Sequence, residues 1–147
     1  MPFAVGIILS LGVALFARRI GLDRDRAFYS TVLIVVASYY VLFAAMGGPG
    51  SALLVESLLA IGFVAIAVAG FTTSRWIIVA GLAGHGMFDA VHAGIIENAG
   101  MPAWWPAFCA AYDIGAATWL AWLLALSRRP GRAQSDFAQL AARMEGR

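Results

Sequence analysis

Five apolar stretches, at 3–17, 28–46, 51–71, 76–96 and 106–126, are separated by connections that carry arginine in strict alternation. Arg18, Arg19, Arg24 and Arg26 occupy the first connection, Arg75 the third, and Arg128, Arg129 and Arg132 follow the fifth stretch. The second connection, 47–50, and the fourth, 98–105, have no basic residue. A hydrocarbon layer admits only backbone that satisfies its own hydrogen bonds, so apolar stretches near 20 residues cross it as helices. Loops rich in arginine stay on the cytoplasmic side. Together these rules predict an all-α polytopic membrane protein: a five-helix transmembrane bundle over residues 1–126, N-terminus out and C-terminus in. The first stretch is the shortest and is expected to cross with little tilt.

Composition enters as a check. A hydrophobic share of 62% with charged residues at 12% is outside the range of soluble domains. All ten basic residues are arginines, eight of them at stretch ends and Arg143 and Arg147 in the tail, and the net charge is only +2. The expected partner is therefore membrane lipid and not nucleic acid. With one cysteine, Cys109, there is no intrachain disulfide to form. No basic residue precedes the first stretch, so a cleavable signal peptide is not expected.

Local punctuation agrees. Gly47-Gly48-Pro49-Gly50 reads as a tight turn, with Ser51 a helix N-cap; Thr72-Thr73-Ser74 precedes and caps the fourth stretch. Trp104 and Trp105 are placed where aromatic rings anchor a bundle at the interface. The tail at 127–147 turns polar, with a short amphipathic helix near Phe137, Leu140 and Met144 expected at the cytoplasmic membrane surface. No internal repeat is evident.

The chemistry gathers in Gly84-His85-Gly86-Met87-Phe88-Asp89-Ala90-Val91-His92, which holds both histidines of the chain. On a helix, His85, Asp89 and His92 share one face. Asp113 on the fifth stretch and Glu56 on the third fall at comparable depths when the five stretches alternate in direction. Tyr39, Tyr40, Ser38 and Ser10 lie near the same level as supporting polar groups. Ionisable groups inside apolar segments are costly, and five of them in one small bundle point to a shared site. Small residues around them, Gly81, Gly84 and Ala93 with Ala110, Ala116 and Ala117, allow close helix packing and turn these side chains inward. Asp89 and Asp113 are expected within about 8 Å of each other, with a histidine in hydrogen-bond reach.

Each residue also admits a structural role: a helix bridge, a register-fixing ion pair, or, for Cys109, packing. Three functional readings stay open. One is a small intramembrane enzyme in which His85, Asp89, His92, Asp113 and Glu56 act on a lipophilic substrate. A single divalent metal (Zn, Fe or Mn) held by Asp89, His92, Glu56 and Asp113 is a candidate cofactor there. The others are a proton- or ion-conducting subunit and a non-catalytic scaffold, either of them as a homo-oligomer.

The stretch 84–92, together with Met101-Pro102-Ala103-Trp104-Trp105-Pro106-Ala107-Phe108-Cys109-Ala110-Ala111-Tyr112-Asp113, resembles a family of small bacterial integral-membrane proteins known only as a domain of unknown function. The resemblance implies a multi-helix protein of the bacterial inner membrane. It implies no activity.

Overall fold

Residues 1–127 are described by a computed structural model. They form five α-helices: α1 (Pro2–Ile20), α2 (Arg26–Gly47), α3 (Gly50–Thr72), α4 (Arg75–His92) and α5 (Trp105–Ser127). A single turn of 3-10 helix, Leu22–Arg24, joins the first two. The amphipathic helix expected in the tail lies outside the described residues. Helices α1, α2, α3 and α5 are long and apolar enough to cross a membrane. Only 22% of the apolar window of α1 and 17% of that of α3 is buried within the molecule. Faces that apolar turn outward as they do in a membrane protein, where lipid covers them.

Two helix boundaries depart from the expectation, each for a local reason. The first helix does not stop at Ala17. It runs on through Arg18 and Arg19 to Ile20, and Gly21 ends it with a left-handed φ of 84°. Arginine is favourable in the last turn of a helix, and glycine adopts the terminating conformation without steric cost. The fourth helix, by contrast, ends at His92 and not at Ile96. The amides of Ile95 and Ile96 both turn back onto the His92 carbonyl at 2.9 Å. Shortened in this way, and the least apolar of the five, α4 is not among the helices apolar enough to cross a membrane unaided. The cap of α3 also differs, since Pro49 and not Ser51 is its N-cap. Ser74 does cap α4, accepting from the Trp76 amide at 3.4 Å.

Helix α4 is the centre of the bundle, packed against α2, α3 and α5, while α1 lies on α5. Its polar side chains explain both its low apolarity and its position, because His85, Asp89 and His92 are all buried. Small residues bring the backbones together. A Cβ on Gly6 would collide with the Phe108 carbonyl oxygen, and one on Gly86 would stand 3.1 Å from the Ala110 oxygen and 3.2 Å from Asp113 Cβ.

The connections gather at opposite ends. At the arginine-bearing end, Arg18 pairs with Asp23 at 3.0 Å and Arg75 donates to the Asp23 carbonyl at 3.1 Å. Arg26 donates to the last carbonyls of α3, Phe71 and Thr73, at 3.2 Å each. At the other end, Asn98 donates to the Tyr40 carbonyl at 3.1 Å, and Gly100 lies so close to the Phe43 carbonyl that no side chain fits there. Leu33, Ile78, Leu82, Ala117 and Leu120 are buried together between α2, α4 and α5.

Candidate functional site

All five ionisable residues singled out in the sequence are buried: Glu56, His85, Asp89, His92 and Asp113. They do not form one site. The structure sorts them into two groups, and Tyr40 of α2 stands between.

The first group joins α4 to α5. His85 donates through Nδ1 to Asp113 Oδ2 at 2.7 Å, and the same nitrogen lies 3.4 Å from Asp89 Oδ2. The carboxyl groups of Asp89 and Asp113 therefore do face one histidine, as their depths require. Asp89 sits one turn above His85 on its own helix, while Asp113 reaches across from the antiparallel neighbour. Asp89 Oδ1 accepts from the Tyr40 hydroxyl at 2.7 Å. Cys109, four residues before Asp113, directs its thiol to Asp113 Oδ2 at 3.8 Å. Phe63 closes the cluster, edge-on to the His85 ring at 4.7 Å. Two polar atoms are left over: Asp89 Oδ2 and Asp113 Oδ1 are buried without a hydrogen-bond partner. An Nδ1–H has one proton to give, so it cannot satisfy both aspartates.

The second group joins α3, α4 and the α4–α5 connection. His92 Nε2 donates to Glu56 Oε1 at 2.7 Å, and Asn98 donates to the same oxygen at 3.1 Å. The Tyr40 ring stacks on His92 with centroids 4.2 Å apart. His92 Nδ1 has no hydrogen-bond partner. Since Asn98 also holds the Tyr40 backbone, this group ties the connection to α2 and α3 and fixes the Tyr40 hydroxyl over Asp89.

The metal set expected from the sequence, Asp89, His92, Glu56 and Asp113, is accordingly divided. Glu56 is engaged with His92 and Asn98, and the Tyr40 ring covers the His92 face. Among the described residues, the donors that converge are instead His85, Asp89, Cys109 and Asp113, with one ligand atom from each lying within 4.8 Å of the others. Sequence reasoning placed Cys109 as a packing residue and did not single out Asn98. Cys109 had a legible signal, because Cys109 and Asp113 repeat on α5 the four-residue spacing of His85 and Asp89 on α4. Asn98 had none, being one turn residue among several.

The expected supporting groups also divide. Ser38 points outward and bonds back to the Val35 carbonyl. Ser10 is buried on α1 against Gly115, with its hydroxyl unpartnered. Trp104 is exposed, while Trp105 packs on Tyr39 and Phe43 with centroids at 4.9 Å.

Beside the first group lies a cleft of about 1050 Å³ between α1 and α2, floored by α5. Val5, Leu9, Val32, Val35 and Phe108 line it, and Cys109 is part of its wall. Cys109 is thus the residue that the cleft and the buried cluster share. No family model, no curated protein and no solved structure matches this chain.

Proposed function

We propose that this protein is a small intramembrane enzyme in which His85, Asp89 and Asp113 carry out acid–base chemistry on a lipophilic substrate held in the α1/α2 cleft. One observation carries the reading: the wall of the apolar cleft includes Cys109, whose thiol is 3.8 Å from the Asp113 carboxyl group. A chain of apolar carbon suits the walls, and a polar head suits the floor. His85 and Asp113 share a proton across 2.7 Å, the arrangement from which one group gives a proton and the other takes it. Tyr40 orients Asp89, while Glu56, His92 and Asn98 act by positioning Tyr40. The bundle stands N-terminus out and C-terminus in, in a bacterial inner membrane, which puts the site in the outer half of the bilayer.

Conduction is the weaker reading. Beyond the buried cluster the interior is filled mainly by Leu33, Ile78, Leu82, Ala117 and Leu120, with Tyr29 the hydroxyl-bearing residue buried among them. A proton path needs hydrogen-bonding side chains throughout.

The test is lipid turnover. Purified protein in liposomes of total membrane lipid should convert at least one species, read by mass spectrometry. Asp113→Asn should slow that conversion about 100-fold or more, the usual contribution of a positioned acid or base. If wild type and Asp113→Asn leave the lipid profile equally unchanged, the proposal fails.

A further inference from the structure

We propose that His85 Nδ1, Asp89 Oδ2, Asp113 Oδ2 and Cys109 Sγ together hold one divalent transition-metal ion of the Zn²⁺ class. The proposal rests on reading this cluster as the reactive site and changes the chemistry assigned to it, because an ion bound by His85 and Asp113 would replace the proton between them and supply Lewis acidity instead. The donors come as two pairs with the same spacing, His85 with Asp89 on α4 and Cys109 with Asp113 on α5. Side chains four residues apart share a helix face, so two such pairs on packed antiparallel helices point at one volume. Helix bundles that hold metals are built from inward-projecting donors on facing helices in this way.

Two of the donor spacings match a tetrahedral ion, and the four donors together lie within 4.8 Å of one another. Bonds of about 2.0–2.3 Å to a tetrahedral ion set the donor atoms roughly 3.3–3.8 Å apart. His85 Nδ1 and Asp89 Oδ2 are 3.4 Å apart, and Cys109 Sγ and Asp113 Oδ2 are 3.8 Å apart. His85 Nδ1 and Asp113 Oδ2, at 2.7 Å, are closer because a proton bridges them. An ion takes the place of that proton, and the pair opens by about an ångström or less.

Two independent observations point to an occupant. The first is an unsatisfied polar atom among the proposed donors: Asp89 Oδ2 is buried and unpartnered. The second is convergence, because one donor atom from each of four buried side chains lies within 4.8 Å of the others. A dication answers both, giving Asp89 Oδ2 a partner and the four donors a common centre. The donor types narrow its identity, because imidazole with thiolate and carboxylate is a set that zinc accepts and that magnesium and calcium, which prefer oxygen alone, do not. Four protein ligands fill a tetrahedral site, so a substrate in the cleft, which Cys109 borders, would reach the ion by expanding its coordination on that side.

The experiment is metal analysis of protein purified through a tag without histidine, followed by exchange to Co²⁺. The expected result is one zinc per chain, retained in Glu56→Gln and lost in Asp113→Ala and His85→Ala. The cobalt form of the wild type should show intense visible bands of a tetrahedral ion and a thiolate-to-cobalt charge-transfer band in the near ultraviolet, the latter absent from Cys109→Ser. The cobalt spectrum needs no variant, so it decides the matter even where Asp113→Ala fails to fold. Metal far below one equivalent, or a cobalt spectrum without the thiolate band, would overturn the proposal. Lipid turnover by protein that purifies without metal sinks the metal site and spares the enzyme. Stoichiometric metal without turnover does the reverse.

Discussion

Tyr40 is the residue on which both buried groups depend. Its hydroxyl donates to Asp89 Oδ1 and its ring lies flat against His92. Tyr40→Phe removes the first contact and preserves the second. Because Asp89 already has one unpartnered oxygen, losing the other partner leaves the whole carboxyl group dependent on His85. Hydrogen bonds to charged groups contribute about 1.5–3 kcal/mol, and the variant should lose stability in that range, read from thermal or denaturant unfolding in detergent. An unchanged transition would show that Tyr40 is not holding Asp89. At this scale the sequence was most legible where it was most unusual. Ionisable residues inside apolar stretches announce themselves, and all five are buried. Their partition was not legible, since it turns on how far α3 is rotated against α4 and on one aromatic ring inserted between two histidines. Neither follows from spacing along a single helix.

Among elements, α1 is the helix seated on a single neighbour, α5, and glycine decides how. It lies on α5 with Gly6 against the Phe108 carbonyl, closer than any side chain permits. Gly12, on the same helix, has open space around the position of a Cβ. Gly6→Ala must push the two helices apart, at a cost of about 1–3 kcal/mol typical of overpacking. Gly12→Ala should be neutral or gain up to about 1 kcal/mol from improved helix propensity. Melting temperatures of the pair in one detergent check the contrast, and equal behaviour would mean that α1 is not seated on α5 as described. Helix number and most boundaries were readable from hydrophobic runs and turn residues. The two errors, in α1 and α4, share a cause. Apolarity marks what can enter a membrane, whereas termini are set by capping, by Gly21 in one case and by amides folding back on His92 in the other.

For the molecule as a whole, the alternation of arginine translates into two unlike ends, one stitched by Arg18, Arg26 and Arg75 and the other closed by Asn98 and Gly100. That separation supports the proposed orientation, and a reporter fused after Arg147 should be active if it is of the cytoplasmic kind and inactive if periplasmic. The opposite pattern would invert the bundle and move the site to the inner leaflet. The position of α4 has a consequence for how such a chain is made. A translocon releases segments into lipid by their apolarity, and an aspartate near a helix centre opposes release by about 2.5–3.5 kcal/mol. Helix α4 carries Asp89 with two histidines and is the one segment not apolar enough to leave on its own account. Synthesis delivers α2 and α3 first, so Tyr40 and Glu56 are already in place to receive Asp89 and His92 as they emerge, while Asp113 and Cys109 arrive last. In the proposed five-helix bundle, the hydrogen bonds of the finished site would thus also be the means by which its central helix enters the bilayer, and a substitution that spares the fold of the mature protein would still halt its biogenesis.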